Sequence, residues 1–265
     1  MVAVSIVIIT KNEAGTITRC IEKSRQVTDD IIIIDNGSTD ETLAIAESYG
    51  CHIYKMHWAG YGANKNKGVE AAKYNWILSI DADEVPDGEL IKSIHKIKLN
   101  DPCTVYDIKF RSYFGEKPIR FGSWGRDHHI RLFNREAVKW SETLVHETLL
   151  LPENVQVKKI EGRLHHYSVK DVYEYETKGM FYARLSAKKY FNAGKKANIV
   201  KLYLSPLFGF IKNYIICLGF LDGREGWLIA KTTVLNTKRK YRYLSQMENM
   251  QGKKQAVNDN FVVEC

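Results

Sequence analysis

Residues Trp76–Glu84 read WILSIDADE, an apolar run that ends in three carboxylates within four positions. A run of this kind without polar alternation predicts a strand buried on both faces, as in a parallel sheet covered by helices. Two similar runs come earlier, Val4–Thr10 and Ile31–Asp35. They pass into the polar loops Lys11-Asn12-Glu13 and Asn36-Gly37-Ser38-Thr39-Asp40. Between the runs, Gly15–Ser24, Asp40–Tyr49 and Tyr61–Lys73 carry helical periodicity, and Ser38 or Asp40 can cap the second helix. The alternation predicts an α/β fold: an open, mostly parallel, right-handed sheet with helices on both faces. Ligands of such sheets bind outside the carboxyl ends of the strands, where all three polar loops fall.

Composition narrows the class further. The chain has 265 residues, 45% hydrophobic and 26% charged, which excludes a disordered or collagen-like chain. The five cysteines are scattered and show no CxxC spacing, so neither a disulfide framework nor a zinc site is expected. Met1 leads directly into the first apolar run without a basic segment or cleavage site, so a cytoplasmic location is expected. The net charge of +8 is unevenly spread. Residues 1–100 hold 11 bases and 14 acids, whereas Lys178–Leu221 holds eight bases and no acid. That stretch is interleaved with aromatic residues and includes the apolar segment Leu204–Leu221, interrupted by Pro206, Lys212 and Asn213. It reads as an interfacial helix on an anionic membrane surface rather than a spanning one, and nucleic acid is not expected as a partner.

The expected organisation is a domain over 1–165, divided at residue 100 into a nucleotide-binding half and an acceptor-side half. A basic helical extension follows over 166–245, with predicted helices at Val169–Phe191, Lys201–Phe220 and Arg224–Tyr243. A flexible tail closes the chain over 246–265. Nothing in the sequence fixes an oligomeric state.

The chemistry concentrates in a few motifs. Asp81 and Asp83, separated by Ala82 beyond a strand end, can offer oxygen ligands to a hard divalent cation whose shell a diphosphate completes. The competing reading is a polar loop capping a helix near Asp87. Asp35, at a second strand tip before a glycine turn, can accept hydrogen bonds from a ribose or a base edge. In Trp58–Lys67, glycine, Asn64 and the two lysines Lys65 and Lys67 open a helix that can approach a nucleotide or its phosphates; the stretch matches neither GxGxxG nor a Walker loop. In Trp140–Glu147, Leu150 replaces the second histidine of a zinc helix, which leaves Glu147 as a candidate general base and Asp127 as its rival. Adjacent His165 and His166 on a strand point to opposite faces, so they read as a hydrogen-bonded pair rather than as metal ligands.

Ser5–Glu13 (SIVIITKNE), Asp35–Thr42 (DNGSTDET) and Asp81–Glu84 (DADE) together resemble the inverting family 2 glycosyltransferases with the GT-A, nucleotide-diphospho-sugar transferase fold. Trp58–Lys67, Trp140–Glu147 and Leu218–Gly223 (LGFLDG) point within that group to the lipopolysaccharide-core glucosyltransferase type. The resemblance implies that Thr10, Asn12, Glu13, Asp35, Asn64, Lys67, Asp81 and Ala82 line a nucleotide-sugar pocket. Asp81 and Asp83 would hold Mg²⁺ or Mn²⁺ with the diphosphate, and Asp83 and Glu147 would be catalytic. Many relatives carry a Glu-Asp pair where this chain has His146-Glu147. No QxxRW element of processive synthases follows residue 150, which implies transfer of a single sugar.

The expected activity is inverting transfer of one hexose from a nucleotide diphosphate sugar to a hydroxyl of a lipopolysaccharide-core or other lipid-linked acceptor. The protein would be docked on the cytoplasmic face of the inner membrane. A sugar-phosphate nucleotidyltransferase would want a Gly- and Arg-rich loop after the first strand, of which Lys11–Gly15 is a poor version. A non-catalytic lipid or nucleic-acid binder gives no reason for carboxylates at three strand ends.

Overall fold

The computed structural model describes residues 2–142 and 147–262, with side chains through residue 251. The chain forms two compact units. One comprises the chain up to Tyr113 together with Arg126–Ser168, and the other comprises Phe114–Gly125 and the described residues from Val169 onward. The second unit thus takes in a loop from the middle of the chain.

The elements of the chain run β1 (Val4–Thr10), α1 (Ile17–Ser24), β2 (Ile31–Asp35), α2 (Thr42–Ser48), β3 (His52–Lys55), α3 (Tyr61–Ala71), β4 (Trp76–Asp81), β5 (Glu84–Pro86), α4 (Gly88–Lys96), β6 (Thr104–Phe114), β7 (Lys117–Pro118), β8 (His128–Asn134), β9 (Lys139–Trp140), β10 (Leu149–Leu150), β11 (Gln156–Val169), α5 (Val172–Asn192), α6 (Ile199–Phe210) and α7 (Gly223–Val262). The main sheet has the order β3-β2-β1-β4-β8-β6-β11-β5. Its β3-β2-β1-β4 half is parallel, and β8 adds antiparallel to β4 and β6. The unalternating runs behave as read: β1 and β2 are buried along their whole length. Ile6, Ile8 and Ile33 pack on one face with Ile17 and Ile21 of α1, while Val7, Ile32 and Ile34 pack on the other with Val69 of α3. A Cβ on Gly68 would lie 2.4 Å from Val7 Cγ1, so the glycine lets α3 sit directly on the sheet.

The start of α2 differs from expectation. Glu41 occupies its N-cap without a side-chain cap bond, and Asp40 Oδ1 accepts from Thr42 N at 3.0 Å. Ser38 instead turns back onto Asp35.

In the second unit, buried Asp222 accepts from the backbone N–H groups of Arg120 (3.1 Å) and Phe121 (2.8 Å), and Asn213 Oδ1 accepts from Ser123 N at 2.7 Å. These bonds attach the 114–125 loop to the C-terminal helices. The predicted Lys201–Phe220 helix breaks into α6, a π-helical stretch at Ile211–Ile216 and a 3₁₀ turn at Gly219–Asp222. By length and composition alone Ile199–Ile216 is long and apolar enough to cross a membrane. The expectation of a loose tail after residue 245 does not hold, because α7 continues to Val262. Residues 246–251 are mostly strong helix formers, and a helix can propagate through such a stretch without an apolar stripe.

Candidate active site

The sheet register brings the polar strand ends together. Thr10 is paired with Asp35 across β1 and β2, and Ile9 is paired with Asp81 across β1 and β4. The loops behind these tips are laced to each other. Asn12, in a left-handed conformation at φ 56°, accepts from Thr39 N at 2.8 Å and donates its N–H to Ser38 Oγ. Glu13 N donates to Thr42 Oγ1, and Glu13 Oε2 accepts from the Thr16 hydroxyl at 2.7 Å. Asp35 is buried and accepts from Gly37 N (3.0 Å) and Ser38 N (3.1 Å), which holds its carboxylate at the strand tip. The Thr10 hydroxyl beside it is buried without a hydrogen-bond partner.

The carboxylates after β4 converge on two buried cations. Lys65 Nζ, from α3, lies 2.8 Å from Glu147 Oε1 and 3.1 Å from Asp81 Oδ1, with its side chain 2% exposed. It also lies 4.8 Å from the centre of the Trp140 ring, a cation–π distance. Arg131, from β8, pairs with Glu84 and reaches Asp81 Oδ2 at 3.4 Å. Loss of water around Asp81 favours its protonated form, but the charges of Lys65 and Arg131 outweigh this and hold it well below the usual carboxylate range. Burial pushes Glu84 up to about 7 despite Arg131. Ala82 N donates to Ile9 O at 3.1 Å and so fixes the turn between the two aspartates.

Asp83 faces a different partner, His166 Nε2, at 3.4 Å. Burial works against a charged imidazole, yet Asp83 raises His166 to about 9. His165 points the other way and meets the Tyr113 hydroxyl at 2.9 Å, as strand alternation requires. Among the described residues no three His, Cys, Asp or Glu side chains are grouped to hold a metal. Asp83 is the one carboxylate of the three that neither Lys65 nor Arg131 pairs with, and carboxylate oxygen is the donor a hard divalent cation takes.

Most of the expected residues lie in this region, with clear exceptions. Lys67 is on the exposed face of α3, paired with Glu70 at 2.8 Å, and it is Lys65, two positions earlier, that enters the carboxylate cluster. A helix turns 100° per residue, so only one of the two lysines can face the sheet ends. Asn64 is buried but braces loops: it donates to Asn36 Oδ1 and accepts from Ala59 N at 3.3 Å. Asp127, the rival base, pairs with His129 at 3.0 Å. His146 lies outside the described residues. Reading the sequence missed Glu84, Arg131 and the inward turn of His166. The available signals were a lone arginine inside the apolar strand IRLF and a glutamate directly after the DAD triplet.

The description Glycosyl transferase family 2 matches residues 5–149. An uncharacterized glycosyltransferase of Rickettsia prowazekii is 28% identical over 100% of this chain and 94% of its own. The lipopolysaccharide core biosynthesis glycosyltransferase LpsC of Rhizobium meliloti is 28% identical over 85% of each chain. The solved structure of glucosyl-3-phosphoglycerate synthase from Mycobacterium tuberculosis, with Mn²⁺ and UDP-glucose, is 23% identical at a TM-score of 0.35. That match covers 42% of this chain and 43% of the synthase. With the family matched across more than half of its length, this chain belongs to glycosyl transferase family 2.

Proposed function

We propose that the protein transfers one hexose, with inversion, from a nucleotide diphosphate sugar to a hydroxyl of a lipopolysaccharide-core or other lipid-linked acceptor. The observation that carries this reading is the Lys65 bridge: one buried ammonium joins Glu147 to Asp81, so a candidate base and the DAD triplet belong to one charge cluster. Asp35 and the loops at Asn12, Glu13 and Asn64 would receive the nucleoside, and the unpartnered Thr10 hydroxyl offers it a further bond. Asp83, beside His166, and Asp81 would hold Mg²⁺ or Mn²⁺; Asp81 is already compensated by Lys65 and Arg131, so the larger share falls to Asp83. The ion would supply positive charge against the diphosphate leaving group.

The residues of the chain perform the remaining steps. Glu147, held 2.8 Å from Lys65, accepts the proton of the attacking hydroxyl. The acceptor oxygen bonds to the anomeric carbon as the bond to the diphosphate breaks on the opposite side, and the anomeric configuration inverts. Arg131 and Lys65 offset the negative charge of the cluster. The lipid-linked acceptor is supported by the LpsC relative and by the basic, apolar C-terminal helices, which would work at the cytoplasmic face of the inner membrane.

The test is a panel of nucleotide sugars assayed for slow donor hydrolysis, with and without Mn²⁺, followed by NMR of the product anomer. Metal-dependent release of a nucleoside diphosphate and a β-linked product from an α-donor are expected. Asp83→Ala should abolish turnover with the thermal midpoint unchanged; undiminished transfer by that variant overturns the assignment.

A further inference from the structure

In the second unit, α6 and α7 present facing stripes of similar spacing. Tyr203, Leu207 and Phe210 recur along α6, and Lys231, Val234, Leu235 and Lys238 recur at i, i+3, i+4 and i+7 along α7. With Trp227 these residues line a cleft of about 290 Å³. Its walls are open to the surface: Tyr203 is 60% exposed, Leu207 54% and Trp227 47%.

Two helices that close a seam on each other place apolar residues at every position of the stripe. Here both ends of the α7 stripe are ammonium groups, two turns and about 10 Å apart along the axis. No acid stands near them in sequence, since Gly226–Met247 holds five bases and no carboxylate. The apolar surface also continues outward from the cleft along α6, through exposed Ile199, Leu204 and Phe208. An apolar trough with a cation at each end, set in an apolar face, matches an amphiphile: alkyl chain along the walls, anionic head on an ammonium whose methylene stem also covers the trough.

We propose that this cleft binds an acidic phospholipid of the bilayer, its acyl chain lying between α6 and α7 and its phosphate on Lys231 or Lys238. This deepens the membrane-surface part of the function proposed above and is independent of the sugar-transfer chemistry.

The full-length protein should float with vesicles containing phosphatidylglycerol and much less with pure phosphatidylcholine vesicles. Lys231→Gln/Lys238→Gln should weaken binding to the acidic vesicles roughly 10- to 30-fold, at about 1 kcal/mol per lysine near an anionic surface. Donor hydrolysis by the same variant should be unchanged. Phosphatidylglycerol brominated on its acyl chains should quench tryptophan fluorescence in the wild type, and Trp227→Phe should remove the largest share of that quenching. Inorganic phosphate at matched concentration should not compete. Competition by free phosphate, or quenching that survives Trp227→Phe, overturns the cleft while leaving membrane docking intact. Absence of binding to any vesicle overturns both, and leaves the glycosyltransferase assignment to be judged by donor hydrolysis alone.

Discussion

A Cβ built on Gly62 would stand 1.8 Å from the carbonyl oxygen of Ser141, with Glu147 Cβ at 3.3 Å. The first turn of α3 is thus pressed against the backbone that carries the candidate base, and only a hydrogen atom fits between them. Asn66, one turn further on, fastens the same segment: its carboxamide accepts from Trp140 N and donates to Trp140 O, both at 3.0 Å. Gly62→Ala must therefore push the Ser141 backbone and Glu147 outward. Turnover should fall by about 100-fold, the scale on which misplacement by an ångström acts. Nucleotide affinity should change little. Steady-state rates alongside calorimetry with the nucleoside diphosphate check this, and a variant with unimpaired turnover would show that Glu147 has no positional role.

Lys65 is compensated on two sides, by Glu147 at 2.8 Å and Asp81 at 3.1 Å. Lys65→Met keeps the length of the side chain but leaves two carboxylates facing each other without a cation. Removal of a charged hydrogen-bond partner costs about 1.5–3 kcal/mol, and urea unfolding should show a loss of that size. Lys65→Met/Glu147→Gln should recover part of it, because the second substitution removes one of the stranded charges. A double variant no more stable than the single one would mean that Lys65 and Glu147 are not energetically coupled.

The parallel half of the sheet was legible because β1, β2 and β4 are nearly continuous apolar runs, interrupted only by the small Ser5 and Ser79 before their polar tips, a pattern that burial on both faces dictates. The convergence of Asp35 and Asp81 followed from strand adjacency alone. What periodicity does not encode is which rotation of α3 faces the sheet ends, and so the sequence does not separate Lys65, which enters the cluster, from Lys67, which pairs with Glu70. Arg131 was hidden for a related reason: it enters the cluster through the register of β8 against β4, and local pattern does not set the register of a long-range pairing. The predicted Lys201–Phe220 helix runs through Pro206 and changes only at Ile211, in the stretch that holds Lys212 and Asn213, where Asn213 Oδ1 accepts from Ser123 N, 90 positions away.

Arg131 and Glu84 form a buried pair behind the site, and both side chains are 10% exposed or less. Breaking such a pair from one side costs more than removing it, because the remaining charge is stranded. Arg131→Met should destabilise the protein by about 3 kcal/mol, and Arg131→Met/Glu84→Gln should restore most of the loss. Thermal unfolding of the four-member cycle measures the coupling. Near-additive effects would show that the pair contributes nothing as a unit.

Asp222 does for the second unit what the carboxylate cluster does for the first. It is 5% exposed and accepts from Arg120 N and Phe121 N, while its own carbonyl accepts from Lys117 Nζ at 2.7 Å. The side-chain bonds are the ones a substitution removes. Asp222→Ala would leave two backbone donors of the 114–125 loop without their carboxylate, at a cost of about 2–4 kcal/mol if they stay buried. The loop can escape that cost by peeling away to find water, so the expected outcome is local opening more than global unfolding. Limited proteolysis should cut first within 114–125, and hydrogen exchange should rise there while β1 and β4 keep their protection. Asp222→Asn retains one acceptor oxygen and should fall between the two. If Asp222→Ala leaves the exchange of Arg120 and Phe121 unchanged, their amides do not depend on the carboxylate.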